Sequence, residues 1–142
     1  MTESEQFEAL ALRCEQATRP DRELDLAIWR AVTGEPWCWH VDFPAQTVIT
    51  WDRYGVEAAG NPIVSLDELT ASLDAALTLV PEGMRPSVGQ NVHHGYWHAF
   101  VQSIVDSTPH QLGGAVSNTS GALALCAAAI RARAQMEGRS HV

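Results

Sequence analysis

Phe7, Leu10, Ala11, Cys14 and Ala17 recur at spacings of three and four, with Glu8 and Glu15 off that line. This period predicts an amphipathic helix. Thr2 and Glu5 stand three apart just before it, as a capping box that opens the helix requires. Pro20 breaks the run and suits the first turn of a second helix, whose apolar face is Leu24, Ala27, Ile28, Ala31 and Val32, with Gly34 as its C-cap. A second box, Ser65-x-x-Glu68, predicts a third helix with Leu66, Leu69, Leu73, Ala76, Leu77 and Val80 on one face, stopped by Pro81 and Gly83. The last element, 121–135, is rich in Ala and Leu and reads as a helix, followed by a fraying tail.

Elsewhere the period is two. TVITWDRY, 47–54, is β-branched and aromatic and predicts a strand. Residues 35–46 hold Pro36, Pro44 and two tryptophans and read as irregular or edge structure, and 55–62 as a loop. The chain looks extended from Pro86 to Val92. Tyr96 to Val105 is the strongest strand pattern, with Tyr96, Phe100 and Ile104 on one face and Trp97, Ala99, Val101 and Val105 on the other. His93-His94-Gly95 then falls in a hairpin turn, with Gly95 where a positive φ is needed. Gln111 to Ser117 adds an edge strand weakened by Gly113 and Gly114. The order is α-α-β-α-β-β-(β)-α. A strand apolar on both faces calls for helices on both sides, so the expected architecture is one α/β (α+β) domain over 1–142, a three-layer α/β/α sandwich around a small, largely antiparallel sheet.

Charge narrows the function. The net charge is −8 and the nine basic residues are all Arg. A nucleic-acid binder needs a basic face, so that class is excluded as an expectation. No apolar run approaches the roughly 20 residues of a membrane span. The N-terminus is acidic and polar, unlike a signal peptide, and the three cysteines form no CxxC pair. A cytoplasmic protein with free thiols is expected, with Cys14 and Cys126 in the core.

NVHHGYWHAF, 91–100, is the stretch that most resembles chemistry. His93, His94 and His98, with His40 or His110, are the residues a small metal-dependent or nucleotide-processing enzyme would use. Yet CxH at 38–40 and HHxxxH at 93–98 match no tetrahedral ligand spacing, so no metal and no cofactor is expected. Asp67, Glu68 and Asp74 read as acids favouring a helix start, and Ser117 to Ser120 as a cap. EPWCWHVDFP, 35–44, combines aromatics, an imidazole and a carboxylate between prolines. Trp37, Trp39, His40, His94 and His98 are therefore the candidate ligand- or partner-binding residues, because aromatics with polar tips make compact recognition surfaces. The main expectation is a non-enzymatic binding module for a protein or a small molecule; self-association stays open.

Three segments carry a resemblance. RPDRELDLAI (19–28), SLDAALTLVPEG (72–83) and ALALCAAAIRARA (122–134) together resemble the phage ABA-sandwich domain family, small proteins of phages and prophages. Its P-D-R-E-L-D is matched by Pro20 to Asp25, its S-L-D-A-A by Ser72 to Ala76, and its L-V-P-E-G by Leu79 to Gly83. Its T-P-A-L-A-L-C is matched by Ser120 to Cys126, with Ser-Gly in place of Thr-Pro. The resemblance implies the sandwich fold and a phage or prophage accessory protein in the host cytoplasm that engages a host protein or small metabolite, an anti-defence role being one form. It implies no known activity.

Overall fold

A computed structural model describes residues 2–33, 38–42, 47–50, 64–65, 68–105 and 108–140. Helix α1, Glu3–Gln16, opens on the expected capping box: Thr2 Oγ1 accepts from Glu5 N at 3.1 Å, and Glu5 Oε2 accepts from Thr2 N at 2.9 Å. Helix α2, Arg22–Thr33, is capped by Asp21, whose Oδ1 accepts from Glu23 N and Leu24 N. Strands β1 (Cys38–Asp42), β2 (Thr47–Thr50) and β3 (Val64–Ser65) form one antiparallel sheet in that order. Gly34 and the 55–62 loop lie outside the described residues. The 35–46 stretch, expected to be irregular or edge structure, thus contributes a strand at the edge of its sheet.

Helix α3 is Leu73–Leu77, much shorter than the helix the Ser65 box predicts. Ser65 is in β3, opposite Thr47, and the cap is Ser72, whose Oγ accepts from Ala75 N at 3.2 Å. The physical reason is a buried polar knot. Thr70 N–H donates to Asp25 Oδ1 at 2.8 Å, and Thr70 Oγ1 accepts from Asp21 N at 2.8 Å. That donor is committed to α2, which holds 69–71 as a turn. The apolar stripe rotates accordingly. Leu69, Ala76 and Leu79 are buried, whereas Leu73 and Leu77 are 44% and 41% exposed, so the expectation that they face the core is corrected.

Strands β4 (Arg85–Asn91), β5 (Tyr96–Val105) and β6 (Thr108–Ser117) make a second antiparallel sheet, with β5 central. Helix α4, Gly121–Ser140, is the centre of the core. Every residue from Gly121 to Ile130 is buried, as befits a helical segment apolar on every side. It packs against β4, β5 and β6 on one side and against α1 and α3 on others. Its small side chains permit close approach: a Cβ on Gly113 of β6 would collide with the Ala128 carbonyl oxygen and lie 2.7 Å from Ala132 N. The chain is thus an α+β fold built on antiparallel sheet, and no described helix is long and apolar enough to cross a membrane. Among the described residues, α4 covers the sheet face bearing Ala99 and Val101; a helical layer on the opposite face is not among them.

Cys14 and Cys126 are buried, as expected. Burial pushes the Cys14 thiol up to about 12, and raises that of Cys126 too, which donates to Leu69 O at 3.1 Å. Neither is a reactive thiol.

Candidate functional site: the open face of the second sheet

In β5 the residues facing α4 are Trp97, Ala99 and Val101, and the alternate set faces outward. The hairpin turn sets the register of that set. Asn91 Oδ1 accepts from His93 N and His94 N at 3.0 and 3.1 Å, Gly95 N donates to Asn91 O at 2.7 Å, and Gly95 takes φ +75°. Asn91 Nδ2 reaches Tyr96 Oη at 3.2 Å. The result is a column of rings at period two. His94 stacks with Tyr96 at 6.2 Å between centroids, and His98 with Phe100 at 5.7 Å.

The strands beside β5 leave this column uncovered. His98 lies opposite Gly89 of β4, and Phe100 opposite Gly114 of β6. The imidazole of His98 occupies the space a Cβ on Gly89 would need, 2.8 Å from Cε1. The side-chain amide of Gln111 lies over Gly114 in the same way, at 2.6 Å. Between them is an open depression of about 440 Å³, walled by His98, Phe100, Gln111 and Val116, with Glu15 at its rim. His98 Nδ1 is buried without a hydrogen-bond partner. Such atoms are uncommon in native proteins.

The edge of β6 beside this depression is clamped by helices. Arg131 Nη1 donates to Gly114 O at 3.0 Å, and Glu15 Oε2 accepts from Val116 N at 3.0 Å. Arg131 also binds Glu15 Oε1 at 2.7 Å and Glu8 Oε1 at 2.9 Å. These bonds occupy edge groups that would otherwise pair with another strand. The hydrogen bond from Arg131 holds the Glu15 carboxyl below its ordinary value of 4.5, against the opposing effect of burial. The carboxylates in turn raise the Arg131 guanidinium. A group with a lowered folded pKa contributes stability that is present above its unfolded pKa and is lost as pH falls through the folded one. Glu15→Gln is therefore expected to be less stable than the wild type at neutral pH and to lose less stability as pH falls from about 5. Denaturant melts across that range check both limbs; parallel curves for the two proteins would contradict the clamp.

The sequence candidates separate. His94 and His98 join the ring column, while His93 is exposed in the turn. His110 pairs with Ser103, far along β6 from the Val116 that faces His98. Trp39 and His40 are in β1 of the other sheet, and Trp37 lies outside the described residues. Among the described residues no three of His, Cys, Asp and Glu gather closely enough to hold a metal. Ser117 and Ser120 serve as caps: Ser117 Oγ accepts from Thr119 N at 3.0 Å and Ser120 Oγ from Leu123 N at 3.2 Å. Tyr96, Phe100, Gln111 and Gly114 were not among the sequence candidates. The His-x-Tyr-x-His-x-Phe alternation at 94–100 was the available signal for the rings; the glycine gap needed the β6 register.

The chain matches no family model, no curated protein and no solved structure.

Proposed function

We propose that this protein is a binding module whose working surface is the outer face of the second sheet. The observation that supports it is the column His94, Tyr96, His98 and Phe100, half-buried or exposed and flanked by glycines that leave it open. Rings of this kind supply contact area at low entropic cost. Binding fits the site better than catalysis, because the titratable groups are spread along the sheet rather than converging on one reacting centre. In the setting the family resemblance implies, the partner is a host protein or small metabolite met in the host cytoplasm, and the protein is a phage or prophage accessory factor. Trp37, Trp39 and His40 are a second candidate surface within that reading.

The test is native mass spectrometry of the purified protein beside pull-down from host lysate, for the wild type and for His94→Ala/Tyr96→Ser. These side chains lie on the outer face, so circular dichroism of the variant should be unchanged. Capture is expected to drop at least about tenfold, since hot-spot rings each carry roughly 2 kcal/mol or more. Undiminished capture by a folded variant contradicts the assignment.

A further inference from the structure

We infer that the depression over Gly114 is a site for an uncharged planar nitrogen heteroaromatic, of the nucleobase class, stacked on the rings of His98 and Phe100. The inference rests on the binding-module reading and names its ligand chemistry.

Three features specify the occupant. The walls carry rings. His98 and Phe100, stacked on each other at 28° between planes, line the depression, and over Gly114, opposite Phe100, lies the end of the Gln111 side chain. A planar ring can slide over Gly114 as that end moves, and base-on-ring stacking tolerates any base because each has a π-face. The polar groups at the walls suit a heteroaromatic edge. The Gln111 amide carries both donors and an acceptor, as an edge of mixed N–H and C=O character requires. It is the free end of a flexible side chain, so it can swing off Gly114 as the ring enters. The charge disfavours phosphates. Glu15 in the lining is already paired with Arg131, which leaves no spare cation in the lining, and the whole chain carries −8. A phosphorylated ligand works against that overall field, whereas an uncharged nucleoside does not. This separates the site from nucleic-acid binding, which the same charge opposes.

Gly114 provides a clean probe. A side chain there meets Gln111 Nε2 at 2.6 Å, but its next contacts are at 3.6 Å or beyond. The amide can move, so Gly114→Val should fold while filling the depression, and valine suits a strand. The experiment is a titration of the ¹⁵N-labelled full chain with adenosine, guanosine, cytidine and uridine, followed by amide shifts, with AMP in parallel. At least one nucleoside is expected to shift residues 98–100 and 111–116 in a saturable way. AMP is expected to bind more weakly than adenosine. Gly114→Val should weaken the nucleoside by about tenfold or more. Absence of saturable shifts with all four nucleosides overturns the inference, as does unchanged affinity in a folded Gly114→Val protein or tighter binding of AMP. If no nucleoside binds while His94→Ala/Tyr96→Ser still abolishes capture, this inference fails and the binding-module reading stands. If that variant also leaves capture intact, both fail.

Discussion

Gly113→Ala is expected to destabilise the protein by about 3 kcal/mol or more, at the upper end of overpacking effects. In a chain of this size that lowers Tm by roughly 10 °C. The added Cβ meets the Ala128 carbonyl oxygen and the Ala132 nitrogen of α4. Both are backbone atoms of a helix enclosed by sheet and helices, so neither can step aside. Gly114→Ala, one residue on, points to the opposite face and meets only the end of the Gln111 side chain. It should leave Tm within a degree or two. Thermal melts of the pair by circular dichroism decide the matter. Equal melting points for the two variants would show that β6 does not lie on α4 in the register described.

Asp25→Ala is the second large loss. Asp25 is 1% exposed; its Oδ1 accepts from Thr70 N–H, and its Oδ2 accepts from Arg22 Nη1 at 2.8 Å. Burial raises its pKa, while the bonds from Thr70 and Arg22 act against that rise. Removing the carboxylate strands the buried Thr70 amide and takes an ion-pair partner from Arg22, which costs about 3–5 kcal/mol. Asp25→Asn keeps an acceptor for Thr70 and should cost clearly less. Denaturant midpoints for both variants test this. A small effect of Asp25→Ala would mean that the 69–71 turn is held by something other than this knot, and the shortness of α3 would lose its explanation.

Legibility in the sequence followed the range of the interactions. The Thr2 capping box, the β4–β5 hairpin with its glycine turn, and α4 with its apolar first half are set by neighbours a few residues apart, and local pattern found each of them. The third helix failed because its start is decided by Asp25, forty-five residues upstream of Thr70. The Ser65 box was a sound local signal overridden by a tertiary hydrogen bond. The same logic applies to the site. His94 and His98 stood out by residue type, and their common face with Tyr96 followed from period two. The depression did not, because it depends on which residue of β6 lies opposite Phe100. A bulge between Val101 and Gln102 in the β5–β6 ladder sets that register, and no single-strand pattern reveals it. The PDRELD and SLDAA segments are structural in this chain: Asp21 and Ser72 are caps and Asp25 is the knot.

The claim that the outer face of the second sheet is the working surface is tested most directly by photo-crosslinking in expressing cells. A photoreactive phenylalanine analogue is placed at His94 or Val116 on that face, at Leu77 on α3, or at Trp39 in β1. Partner or ligand adducts are expected from positions 94 and 116, from 39 only alongside them, and none from 77. Adducts confined to 39 or 77 would contradict that claim.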